Sequence, residues 1–340
     1  MIRLLVLLML PCVAQAETLR VASYNTELSR NGPGLLLRDI LREDPQVTAV
    51  IEVLVTTRPD IVSLQGLDWD LDGLALDTLV DALEGHGLNY PYSYFEQPNS
   101  GLETVEDLDG DGETGGPGDT QGWGRFTGQS GLAVLSRYPI AAREVQSYTE
   151  LLWNELPGAR LPKINGNPFP SPQAQAIQRL SSTSHWVVPI DTPVGRINLM
   201  TFHASPPVFD GPEDRNGLRN RDEVRFWSLL LDGKLGPTPS DRFVIAGDAN
   251  LDPHNGEGHK AAINDLLADP LIQDPVPLDP AGSAATVQWK GVGEMRVDYV
   301  LPSSDWHVHD AGIYWPETEA RASAEAASRH RLVWVDLINQ

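Results

Sequence analysis

Seven polar side chains sit at or next to the ends of apolar runs: Asn25, Gln65, His203, Asp248, Asn250, Asp298 and His330. Carboxylates, carboxamides and imidazoles hold hydrated cations, contact phosphoryl oxygens and move protons near neutral pH. The stretch Phe243-Val-Ile-Ala-Gly-Asp-Ala-Asn250 shows the pattern most plainly. Four apolar or small residues read as a buried strand, Gly247 ends it, and a carboxylate, a spacer and an amide follow. Residues two apart on an extended chain face the same way, so Asp248 and Asn250 are expected to project together. A carboxylate beside a neutral amide suits a hydrated divalent cation next to a phosphoryl oxygen. The same octapeptide also fits a strand followed by an Asx turn.

The elements that must position these groups alternate along the chain. Strands are expected at 19–25, 61–64, 131–137, 243–246, 286–289, 297–301 and 332–337, with a hairpin over 182–190 and 196–202. Helical spacing covers 47–57, 74–83 and 218–231. Strand, helix, strand, helix is the rhythm of an α/β sandwich, and no linker or repeat divides it. One domain over residues 17–340 is therefore expected.

Residues 1–16 stand apart. A short basic start, an unbroken apolar run from Leu4 to Leu10 and Ala14-Gln-Ala16 form a secretory signal peptide, too short to span a membrane. The only cysteine, Cys12, lies inside it, and Pro11 argues against lipoprotein processing. An exported, periplasmic chain beginning at Glu17 and lacking disulfides is expected. The formal net charge of −22 disfavours long nucleic acids, whose recognition rests on basic surfaces, and favours a small phosphorylated substrate. No second apolar run approaches membrane-spanning length.

Residues 97–129 break the rhythm with Gly, Asp and Pro. Asp107, Asp109, Asp111, Gly112 and Glu113 have the early spacing of a Ca2+ loop, although Gly118 stands where a bidentate Glu is expected. Asp119 is the available substitute. A solvated acidic loop is the other reading.

Taken in order, Ser23-Tyr-Asn25, Asp60-Ile-Val-Ser-Leu-Gln65, Gly131-Leu-Ala-Val-Leu-Ser-Arg137, Thr201-Phe-His203, Gly247-Asp-Ala-Asn250, Val297-Asp-Tyr-Val300 and Ser328-Arg-His330 span most of the chain. In these motifs the sequence resembles the endonuclease/exonuclease/phosphatase superfamily. The resemblance implies a four-layer α/β (α+β) sandwich, two mostly antiparallel sheets face to face with helices outside. It gives His330 a role on the attacking water or the scissile phosphate, with Asp298 orienting its imidazole. Asp248 would hold the water or touch a metal such as Mg2+, while Asn250 and Asn25 would donate to phosphoryl oxygens and the nucleophile. His203 would contact phosphate or donate a proton near the leaving group. His185, His254, His259 and His307 are read as structural or surface residues.

Two departures qualify this. The resemblance puts a metal-binding Glu where Gly66 stands, and a second carboxylate where Arg329 stands. A cation facing a cation a few ångströms away costs about 4 kcal/mol at an effective dielectric near 20. Three readings follow: a metal relocated towards Asp68, Asp70 or Asp72; Arg329 binding phosphate in place of a metal; or a scaffold that binds a phosphorylated ligand or partner without turnover. Arg329 could also point outward, since its neighbour His330 must face the site.

Overall fold

The computed structural model describes residues 18–239 and 242–338; the expected signal peptide lies outside them. Two sheets dominate. In the first, the strand order is His307–Ile313, Val333–Ile338, Thr18–Asn25, Ile61–Leu67, Gly131–Ser136, Tyr92–Tyr94. In the second it is Asp298–Pro302, Phe243–Asp248, Gly195–His203, His185–Thr192, Gln146–Ser147. Each sheet is antiparallel except for one central parallel pair. These pairs are Thr18–Asn25 with Ile61–Leu67, and Gly195–His203 with Phe243–Asp248.

Three apolar layers make four structural ones. Val21, Val134, Val188, Leu199, Val244 and Val335 fill the space between the sheets. Outside the first sheet pack the helices Leu35–Leu41, Pro45–Thr57 and Leu74–Gly85. Outside the second pack Arg215–Leu231 and Ala261–Leu267. Strands buried on both faces carry continuous apolar runs.

Local chemistry sets the helix ends. Asp44 accepts from Gln46 N ahead of Pro45, and Arg58 closes that helix in the left-handed region at φ 48°. Asp70 accepts from Leu74 N and Ala75 N, so it starts the next helix. Beyond the expected elements the structure adds short helices, among them Leu35–Leu41, Ala261–Leu267 and Ala320–Ala327, and short or edge strands such as Tyr92–Tyr94 and His307–Ile313. The hairpin begins at His185 rather than Ser182, and the long helix begins at Arg215 rather than Leu218. The terminal strands pair with each other, Thr18 opposite Ile338 and Ser23 opposite Val333.

Candidate active site at the ends of the central strands

Asp248 ends its strand with Asp298 opposite it on one neighbour and His203 on the other. Both carboxylates are fully buried. From the facing sheet, Asn25 donates from Nδ2 to Asp248 Oδ2 at 2.9 Å. His330 donates from Nδ1 to Asp298 Oδ2 at 2.9 Å, and the same nitrogen lies 3.7 Å from Asp248 Oδ2. His203 Nε2 lies 3.5 Å from Asp248 Oδ2, while its buried Nδ1 has no hydrogen-bond partner among the described residues. Two acids, two imidazoles and an amide from five strand ends or strand entries thus converge.

The surroundings push these groups apart in pKa. Burial lowers His330, but Asp298 and Asp248 outweigh it and raise the imidazole to about 9. His203 is lowered, chiefly by burial, against a weaker opposing pull from Asp248. Asp248 is raised by burial and by the neighbouring Asp298. At neutral pH the arrangement is a charged imidazole, a neutral imidazole and an acid with increased basicity, the separation that divides acid from base roles.

Asn250 is turned differently from the expected alternation. The strand ends at Asp248, and Asn250 adopts φ 48°, so the two-residue period no longer applies. Its backbone N donates to Asp248 Oδ1 at 2.7 Å, the Asx turn, and its Nδ2 donates to Ala204 O at 2.9 Å. Asn250 therefore braces the segment after His203. Gln65 is spent on structure, donating to Ser63 Oγ and accepting from Ser23 Oγ.

Arg329 lies against Glu27, a residue the sequence reading did not single out. Glu27 Oε2 accepts from Arg329 N at 2.8 Å, and Oε1 accepts from Nε at 2.7 Å and also from Nη2. The Arg329 side chain is 64 % exposed. The relocated-metal residues are engaged elsewhere: Asp68 accepts from Arg30 N and Ser130 N, Asp70 caps a helix, and Asp72 is exposed. His185 is buried between Ser181 Oγ and Glu223 O, and His259 pairs with Asp214, as structural residues should. His254 and His307 are exposed.

Beside His203 opens a cleft of about 890 Å³, walled by Ser130, Thr183, Ser205, Trp123, Phe209 and Arg215 among others. Asp109 and Asp111 of the acidic loop reach the same cleft. In that loop the carboxylates that gather are Asp107, Asp109 and Asp119, each offering an oxygen within 4.8 Å of the others. Asp111 and Glu113 stay outside this cluster, exposed and linked only through a turn. Gly118 has no room for a side chain, because a Cβ there would lie 1.7 Å from Asp109 Oδ2. Asp119 thus takes the closing place.

The sequence matches the Endonuclease/Exonuclease/phosphatase family over residues 22–330. The chain belongs to this family. The matched span contains Asn25, His203, Asp248 and Asp298 and ends at His330, and the fold brings these five together. Solved structures agree on the fold. The family's protein from Beutenbergia cavernae DSM 12333 is 18% identical with a TM-score of 0.59, over 95% of this chain and 72% of that one. One from Leptotrichia buccalis C-1013-b is 14% identical at 0.55, covering 94% and 99%. Sphingomyelinase C from Streptomyces griseocarneus is 18% identical at 0.51, covering 95% and 100%. No curated protein sequence matches the chain. Among the described residues no helix is long and apolar enough to cross a membrane.

Proposed function

We propose that the chain is a phosphoric ester hydrolase that cleaves a small phosphomonoester or phosphodiester by attack of water on phosphorus. One observation carries the reading: Asp248 lies between Asp298 and His203 in register, with Asn25 and His330 closing over it. Charged His330 offers Nε2–H to a phosphoryl oxygen, held in orientation by Asp298 at Nδ1. Asp248, with its raised pKa, is the acceptor for the proton of the attacking water as the new P–O bond forms. Neutral His203 faces the cleft, where the leaving oxygen would depart.

Asp248, Asp298 and His330 lie close enough together to hold a metal ion. The place the family pattern gives to the metal fits one poorly. Gly66 supplies no ligand, and Arg329 is a cation already bound by Glu27. Asp107, Asp109 and Asp119 form a separate all-oxygen set of the kind Ca2+ prefers. The apolar start supports export to the periplasm, and the charge of −22 supports a small substrate.

The missing ligands favour a second reading, a protein that binds a phosphorylated ligand or partner without turnover. Assays with 4-nitrophenyl phosphate and bis(4-nitrophenyl) phosphate, with EDTA, Mg2+, Mn2+ or Ca2+, decide between them. The hydrolase turns over at least one ester and His330→Ala abolishes it. Turnover unchanged in His330→Ala, or absent throughout, would sink the hydrolase.

A further inference from the structure

Phe209 is held in the open by its neighbours. It lies between the strand that ends at His203 and the helix Arg215–Leu231. On one flank Asn216 Nδ2 donates to Val208 O at 2.7 Å, and on the other Asp210 Oδ2 accepts from Asn216 N at 2.6 Å. With the chain fixed on both sides, Phe209 takes φ 68° and remains 89% exposed. A bulky residue in the left-handed region is strained, and a ring in water has no apolar cover to offset that strain. Trp123, 56% exposed, lines the same cleft, with the Arg125 guanidinium 5.1 Å from its ring centroid. Two anchored aromatic rings thus stand open on the cleft that begins at His203.

The rest of the lining is polar and mixed in sign. Asp109, Asp111, Asp210 and Glu213 share it with Arg215 and Arg219. Arg219 is buried and donates from Nε and Nη2 to carbonyls of Leu180, Gln121, Arg179 and Ser181, while its Nη1 has no hydrogen-bond partner among the described residues. Arg215 donates from Nη1 to Leu108 O, and its Nε and Nη2 have none among the described residues. Two buried atoms of the lining, Ser100 Oγ and His203 Nδ1, are also without a partner there. Four carboxylates against two guanidiniums oppose a second phosphate. A hydroxyl both donates and accepts, so a ring carrying several can use the carboxylates and the open guanidinium nitrogens together. An acyl chain uses neither, and an ammonium only the carboxylates. The volume of about 890 Å³ is that of a small-molecule site.

We propose that this cleft is the leaving-group subsite and takes an uncharged polyhydroxylated ring, the chemistry of a sugar, against Phe209 and Trp123. The inference rests on the reading that water attacks phosphorus at Asp248 and the ester oxygen departs past His203. The reaction is then the hydrolysis of a sugar phosphate ester, with phosphate and the free sugar hydroxyl as products.

The test is calorimetric titration of the protein with glucose 6-phosphonate and with methylphosphonate, whose P–C bonds water does not displace. The parent should bind the sugar phosphonate about tenfold or more tightly than methylphosphonate. Phe209→Ala and Trp123→Ala should each cut that ratio about threefold to tenfold, and Phe209→Tyr should keep it. A parental ratio near one, or a ratio unchanged in both alanine variants, overturns the inference. So does tighter binding of phenylphosphonate or 2-aminoethylphosphonate, which would give the cleft to a flat apolar ring or to a cation. Hydrolysis of bis(4-nitrophenyl) phosphate by the parent and His330→Ala separates the two claims. Turnover that His330→Ala abolishes, without any preference for the sugar phosphonate, leaves the hydrolase standing and removes the sugar subsite. A preference that depends on Phe209 and Trp123, without turnover, keeps a subsite for a phosphorylated sugar and removes the hydrolase.

Discussion

Asn25 Nδ2 meets Asp248 Oδ2 at 2.9 Å across the gap between the two sheets, joining residues 223 apart in sequence. With His330 Nδ1 to Asp298 Oδ2, it ties the two halves of the sandwich together at the site. Asp248 is fully buried, so each donor to it matters. Replacing Asn25 by Ala should cost about 1–3 kcal/mol in denaturant unfolding and reduce turnover roughly 10–100-fold. An Asn25→Ala protein with parental stability and rate would show that the bond is incidental.

His330 is charged up to about pH 9. Its folded pKa lies above the unfolded value near 6.5, so its stabilising contribution is complete below that value and is lost as pH rises through 9. The rate should follow the same proton and fall on the alkaline side with a midpoint near 9. Asp298→Asn removes a raising charge, and should move that limb down by about 1–3 units. A pH–rate profile of the two proteins checks both statements; identical limbs would contradict them.

Acid acts elsewhere. His185, fully buried among Phe202, Phe226 and Trp227, is lowered to about 3 by desolvation. A depressed folded pKa means the unfolded chain takes the proton first, so stability is present above pH 6.5 and declines towards pH 3, by ~1.4 kcal/mol per unit. Urea midpoints measured from pH 7 to pH 4 should fall less steeply for His185→Gln than for the parent, from a lower starting value.

Gly66→Ala should destabilise by about 1–3 kcal/mol, since the new Cβ both enters a positive-φ position and strikes Asn25 Oδ1. For the same reason, Gly66→Glu combined with Arg329→Asp should not restore Mg2+-dependent turnover. A gain in Mg2+-dependent rate by that double variant would mean that the turn at Glu27 yields easily.

Calcium should bind once per chain through Asp107, Asp109 and Asp119. Titration calorimetry of the parent against Asp109→Ala measures it directly, and EDTA should lower the melting temperature of the parent only. Equal heats from the two proteins would remove the loop from consideration.

Much of this architecture can be read from the chain because the central strands are buried on both faces, so apolar runs mark them and polar residues mark their ends. Asn25, His203, Asp248, Asp298 and His330 all follow that logic. What escapes it is instructive. The edge strand His307–Ile313 buries only its last two residues and carries no apolar run. The short helices Leu35–Leu41, Ala261–Leu267 and Ala320–Ala327 lack side-chain caps. Glu27 belongs to no motif, and its place depends on a left-handed turn; the only signal was the absence of a side chain at residue 66. Asn250 departs from the alternation because it lies two residues past the strand, in the left-handed region.

The pairing of Thr18 with Ile338 has a consequence in time. Asn25 is made early and His330 almost last, and His330 is carried to Asp248 and Asp298 by the chain entering the final strand, Val333–Ile338, which pairs with Thr18–Asn25. A chain leaving the ribosome or a translocation channel carries every residue of the site but no assembled one. A chain cut before residue 330 lacks the imidazole that faces Asp298 and Asp248.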